Sequence, residues 1–214
     1  MRPSMNLYWL VCAFILGAAL LTGSASAASL YWSGDGTWID DSSTANWGTV
    51  AGGPYTASTW VTGSAAVFEG AGGTVTVSGT INSVNSIVFA WNAGDFTLTD
   101  GTIKLTGSGG NVTPGAGAYT VNSAITGTVG LTNRGGTVVL GGNNTYTGNT
   151  NVTGGLLVLN SATAVPGGIG ATGGTSALVL NRSVIGLGYG DFTRNLASGA
   201  AGATFSDSAG WAAF

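Results

Sequence analysis

From Ala28 onward the chain is built of short apolar runs of three or four residues, several alternating with Thr, bounded by turns rich in Gly and Asn. The runs are Thr74-Val75-Thr76-Val77, Ser86-Ile87-Val88-Phe89, Phe96-Thr97-Leu98-Thr99, Thr102-Ile103-Lys104-Leu105, Tyr119-Thr120-Val121, Thr137-Val138-Val139-Leu140, Leu156-Leu157-Val158-Leu159 and Leu178-Val179-Leu180. A period of two with Thr, Val and Ile is that of a half-buried strand, and Gly-Gly or Asp-Gly between runs is turn chemistry. No helical period is visible. Strand centres lie about seven to eighteen residues apart, a spacing that suits a β-sandwich or stacked coils. Repetition favours coils. The order Thr/apolar/Gly in Phe96 to Thr106 returns in Gly136 to Leu140 and in Gly154 to Leu159, with short Thr and Asn side chains outward. The expectation is an all-β parallel β-helix over 71–214, with the sandwich as the alternative.

The first 27 residues read as an address. Arg2 is followed by fifteen apolar residues from Leu7 to Leu21, then by small residues with Ala25-Ser26-Ala27 in A-x-A form. That is a secretory signal cut after Ala27. The run is short of the about 20 residues a membrane helix needs, so the signal-anchor alternative is disfavoured and no membrane span is expected in the mature chain. Cys12, in the middle of the apolar run, is the one cysteine. Cleavage removes it, leaving neither disulfides nor thiol chemistry. The expected destination is the periplasm, the cell surface or the medium.

Residues 28–70 differ in composition from the rest of the mature chain. They hold Trp32, Trp38, Trp47 and Trp60 with Tyr31, Tyr55 and Phe68. Such a cluster closes the open end of a solenoid, whose backbone edges are otherwise bare. The functional alternative is a sugar platform of these four tryptophans, directed at a surface polysaccharide.

Catalysis finds little to work with. The chain has no histidine, which removes Ser-His-Asp and Cys-His mechanisms and the usual zinc sites. Eight carboxylates remain: Asp35, Asp40, Asp41, Glu69, Asp95, Asp100, Asp191 and Asp207. Glycoside hydrolysis needs two of them about 5–9.5 Å apart across a cleft. Asp40 and Asp41 are adjacent, and neighbours on a strand point to opposite faces. Lys104 with Asp95 and Asp100 reads as solvated surface. Gly34 to Asp41 carries three acids between Gly turns, but it matches no calcium-loop pattern. Gly168-Ile169-Gly170-Ala171-Thr172-Gly173 satisfies G-x-G-x-x-G literally, yet a strand-like run comes next, where the dinucleotide motif requires a helix. No enzyme activity and no cofactor are expected. Nucleic acid is also excluded as a partner, because the net charge is −3 and the five basic residues are scattered.

The stretch Leu131 to Gly148, with Asn144-Thr145-Tyr146-Thr147-Gly148 at its end, followed by Thr150 to Leu159, resembles the autotransporter-associated β-strand repeat. The family pattern is a G-T-L-like strand, N-x-Y-T-G, a T-x-V strand and a G-x-L strand, so Asn144, Tyr146, Thr147 and Gly148 are its diagnostic positions here. Tyr31 to Gly34 with Trp38 and Asn46-Trp47, Pro166 to Gly170, and Gly190 to Arg194 also fit proteins that carry the repeat. Arg134 and the stop at Phe214 depart from it, since relatives continue for more rungs. The resemblance implies a right-handed β-helix in an exported, non-enzymatic structural or adhesive surface protein, with this chain as a C-terminally truncated head. It also leaves a β edge free for self-association or pairing with another chain.

Overall fold

A computed structural model describes residues 28–33, 36–107, 112–113, 117–169, 176–199 and 201–213. Residues 1–27, and with them the expected signal and its Ala27 cut, lie outside the described residues. Among those described, every regular element is a strand and there is no helix. The chain is a β-solenoid of parallel sheets, in agreement with the spacing of the runs.

Each coil visits the same faces in the same order. The first coil has β1 (Ser29–Trp32) on one face and β2 (Thr37–Ile39) on the next, and β3 (Trp47–Gly48) then turns back antiparallel against β1. The second coil runs β4 (Ala65–Phe68), β5 (Gly73–Ser78) and β6 (Thr80–Val84). The third is β7 (Ser86–Phe89), β8 (Phe96–Thr99) and β9 (Thr102–Leu105), and the fourth β10 (Val112–Thr113), β11 (Ala118–Val121) and β12 (Ala124–Gly127). Parallel pairing of β4 with β7, β5 with β8 and β6 with β9 makes three faces. Higher up, β13 (Leu131–Leu140) and β14 (Thr150–Leu159) each cover two faces with a single ten-residue strand. β15 (Leu178–Asn181) stacks on the first half of β14 and β16 (Val184–Leu187) on the second. β17 (Ala203–Ser206) and β18 (Gly210–Ala213) stack in turn on β15 and β16.

Registration makes the core. On one face Ile81, Ile103 and Ile125 stand directly above one another, all fully buried. On another, one column runs Phe96, Tyr119, Val138, Leu157 and Ile185 from coil to coil. Each such side chain removed from water is worth about 1.5–3 kcal/mol. Thr74, Thr97 and Thr120 form the matching outward ladder. Alternation in sequence therefore becomes an apolar column inside and a hydroxyl column outside.

The long strands turn a corner between faces, and glycine makes the turn possible. Gly155 has φ +68°, and a Cβ there would overlap the backbone of Gly136 in the coil below. Gly135, in contrast, has open space around its Cβ position and an ordinary φ.

At the base, the loop between β3 and β4 is tied down by Glu69. Its Oε1 accepts hydrogen bonds from the Gly52 N–H (2.6 Å) and the Tyr55 hydroxyl (2.8 Å). Burial, helped by the neighbouring Glu69 carboxylate, pushes the Tyr55 phenol up to about 12.

This packing sets two expectations. Gly155→Ala, strained in φ and in space, destabilises the chain by about 2 kcal/mol or more, whereas Gly135→Ala is neutral or gains up to about 1 kcal/mol; urea unfolding of the two variants checks the contrast. The fold favours protonated Tyr55, so its contribution is complete below pH about 10 and is lost as pH rises towards 12. An absorbance titration of phenolate should lose its step near 12 in Tyr55→Phe.

Candidate functional site

The repeat-like motif after β13 lies as an extended segment on the third face, over β12. Asn144 and Tyr146 point inward and are buried, while Thr145 and Thr147 are exposed. The segment docks on β12 through the Thr145 N–H to the Ile125 carbonyl (2.9 Å) and the Thr147 N–H to the Gly127 carbonyl (3.0 Å). Asn144 then joins three coils with one side chain. Its Oδ1 accepts the Ile125 N–H (2.8 Å) from below, and its Nδ2 donates to the Ala164 carbonyl (2.7 Å) above. Asn is required because a buried corner here leaves one donor and one acceptor to be satisfied together. A Cβ on Gly148 would overlap the backbone of Gly130, so this position lets two coils approach within backbone contact.

Tyr146 opens a buried polar chain. Its hydroxyl shares a hydrogen bond with Thr150 Oγ1 (2.5 Å), which lies 3.5 Å from Ser176 Oγ. Burial raises the phenol pKa well above its ordinary value, with Thr150 and the nearby Arg194 opposing the shift. Arg194, one of several scattered basic residues in the sequence, is buried. Its Nε donates to the Gly168 carbonyl (2.8 Å), Nη1 to the Ser176 carbonyl (3.0 Å) and Nη2 to the Pro166 carbonyl. The Thr193 N–H adds a bond to the Ile169 carbonyl (2.9 Å). The two stretches singled out in sequence, 166–170 and 190–194, thus meet through this guanidinium over the described residues. Burial lowers the Arg194 pKa, and three carbonyl dipoles take the place of solvent.

The aromatic cluster is a correction to the sugar-platform alternative. Trp32, Trp38, Trp47 and Trp60 are at most 4% exposed and pack on one another with ring centroids 5.0–5.2 Å apart, mainly edge to face. A pyranose needs an indole face open to water, and these four faces are covered by each other and by Phe68. The sequence shows that the tryptophans cluster; only packing decides which way they face.

The carboxylates serve the backbone. Asp41 accepts from the N–H and hydroxyl groups of Ser43 and Thr44, and the two backbone N–H groups hold its pKa below the ordinary value. Asp40 accepts the Asn82 N–H (2.9 Å), and Asp95 accepts the Ala118 N–H (2.9 Å). Adjacent Asp40 and Asp41 therefore bind different partners and frame no cleft. Asp35, the third acid of the calcium alternative, lies outside the described residues. Lys104 points outward from β9.

The last coil exposes the core. Trp211 of β18 is paired in register with Ile185 and so continues the buried column, but it is 44% exposed because no described coil lies over it. Phe192 and Phe205 pack against its ring at 4.7 and 4.9 Å, and Leu196 and Tyr189 are exposed nearby in sequence. A shallow cleft of about 400 Å³ lies along β17, lined by Leu196, Ala197, Ser198, Ala203, Thr204 and Phe205. Among the described residues β18 pairs only with β16, whereas Ala203 at the start of β17 also bridges in parallel to Leu196, with its N–H on the Asn195 carbonyl (2.9 Å), so the outer edge of β17 is taken at its first residue. Apolar surface beside a free strand edge is suited to accept another β-strand.

The motif residues separate experimentally. Asn144→Ala strands a buried N–H and a buried carbonyl and should cost about 2–4 kcal/mol, while exposed Thr147→Ala stays within about 0.5 kcal/mol. Thermal melts of both variants check this.

No family model matches the chain, and no solved structure matches it. One curated relative does: an autotransporter described as adhesin BmaC, from Brucella suis biovar 1 (strain 1330), is 32% identical over 157 residues. The match takes in 68% of this chain and 4% of the relative, so the chain corresponds to a small part of that protein's length. The chain is a distant homologue of an autotransporter adhesin.

Proposed function

We propose that the chain is an exported, non-enzymatic surface protein whose work is structural and adhesive, with a signal removed after Ala27, residues 28–70 as a cap and 71–214 as the repeat body. The observation that carries this reading is the homology to an adhesin along a chain folded as a β-solenoid. Asn144 to Gly148 is read as one unit of the autotransporter-associated repeat, and its three-coil hydrogen bonding supports that assignment. The non-enzymatic part is supported by how the acids are used: Asp40, Asp41 and Asp95 bond backbone N–H groups and Glu69 holds a loop.

In this reading the rungs are a spacer, and the unpaired edge of β18 with the apolar surface of Trp211, Phe205 and Leu196 beside it is a docking edge. For the purified chain the partner is a second copy. Sedimentation should show association that rises with concentration, and Trp211→Asp or Leu196→Asp should weaken it about tenfold or more. A clean monomer at high concentration removes the docking reading. Export is checked separately: the protein recovered from outside the cytoplasm should begin at Ala28, and on intact cells an added protease should reach it.

A further inference from the structure

Trp91 is the barest large apolar side chain in the described structure, 85% exposed. Tryptophan is on average highly buried, so an indole this open forgoes the hydrophobic stabilisation that burial would give it. It stands at the second position of a tight turn between β7 and β8, closed by the Ala93 N–H on the Ala90 carbonyl (2.9 Å). Both flanks of that turn are anchored to the coil below. The Ala90 N–H donates to the Phe68 carbonyl (2.8 Å), the Gly94 N–H to the Gly70 carbonyl (2.6 Å), and the Gly73 N–H to the Asp95 carbonyl (2.9 Å). A Cβ on Gly94 would overlap the Ala71 backbone, so the two loops lie in direct backbone contact. Trp91 is thus exposed on a rigid mount.

The surroundings of the indole narrow the ligand. The loop beneath offers Gly70 and Ala71, both exposed and too small to cover a ring, so the described residues of that loop place no apolar patch against the indole. A protein partner draws on a cluster of packed apolar anchors ringed by contacts that exclude water. The same turn instead carries the exposed amide of Asn92 next in sequence, and it ends at the exposed carboxylate of Asp95, whose Oδ1 accepts the Ala118 N–H and whose second oxygen has no protein partner among the described residues. One open aromatic face beside hydroxyl-binding groups matches a sugar ring, which has an apolar C–H face and a rim of hydroxyls. The nearby carboxylate and the net charge of −3 disfavour an anionic ligand. We propose that Trp91, with Asn92 and Asp95, forms a binding site for neutral glycans, in which the indole stacks on a pyranose face and the two polar side chains bond its hydroxyls. This rests on the adhesive reading and supplies it with a contact point away from the β18 edge.

The test is affinity electrophoresis of the purified chain through gels containing a neutral glucan, mannan or galactan, with hyaluronan as the anionic control. Retardation by at least one neutral polysaccharide is expected. Trp91→Ala should weaken it about tenfold or more, Trp91→Phe should retain a large part of it, and Val50→Ala, at another exposed apolar side chain, should leave it unchanged. Because Trp91 is 85% exposed, its two variants should melt with the native chain or close to it. Failure of every neutral polysaccharide to retard the chain overturns the proposal, as does Trp91→Ala migrating like the native chain in the presence of a retarding glycan. Either result leaves the sedimentation and export tests of the adhesive reading untouched, so the two failures are distinguishable.

Discussion

Everything in this molecule depends on the parallel hydrogen-bond ladder that sets each coil on the one before it. A coil on its own has an apolar face and nothing to bury it against; only a neighbour in register covers it. The ladder fixes that register residue by residue, which is why Ile81, Ile103 and Ile125 form a column and Thr74, Thr97 and Thr120 form another. A slip of one residue would exchange inward and outward columns. The hydroxyl surface and the apolar core are therefore a single constraint seen from opposite sides.

Corners are where the constraint is hardest to meet, and the chain solves them with two different chemistries. Between β13 and β14 the coils touch backbone to backbone, and glycine supplies the space. Beyond them, Arg182 and Asp207 take left-handed conformations at corners of the upper coils, at φ +51° and +49°. There the loops are held from inside by polar side chains. Asn144 answers one donor and one acceptor, and Arg194 answers three carbonyls. Burying a guanidinium among carbonyls, away from a carboxylate, is a costly way to gather a loop, since the charge is stripped of water. What it adds is specificity, because no apolar side chain could bind Pro166, Gly168 and Ser176 at once.

These two chemistries explain what the sequence makes legible. The eight alternating runs all fall within strands, because on those faces one side meets the core and the other meets water. β4 escapes notice because all four residues of Ala65–Phe68 are buried, so alternation disappears. β6 is hidden by Ser83, whose φ of +53° puts an irregularity in the strand and shifts the register before Val84. The continuity of β13 and β14 is equally invisible, since a Gly-Gly pair reads as a break between strands when it is a bend within one. The motif at Asn144 is legible as a pattern, but its three-coil reach is not, because Ile125 and Ala164 are about twenty residues away in either direction. For the aromatic residues, composition locates the cluster and leaves its orientation open. Trp91 has a local signal, a tryptophan at the end of an alternating run and just before Asn92 and Gly94, but nothing in that pattern separates an exposed indole from a buried one.

The described ends of the solenoid differ in how the core is met there. At the base, β3 lies antiparallel across β1 and covers that edge, while three-residue β2 and five-residue β6 form the margins of the other two faces. Trp32, Trp38, Trp47 and Trp60 pack on one another in that region, so the core is closed from within by aromatic side chains. In the uppermost described coil Trp211 and Phe205 stand in register over Ile185 and Leu180, and their exposed side is the surface that a further β-coil would cover by the rule that builds every rung beneath. A cap therefore differs from a rung in one respect: its aromatic side chains are covered by each other, whereas those of a rung wait for the next turn of the ladder.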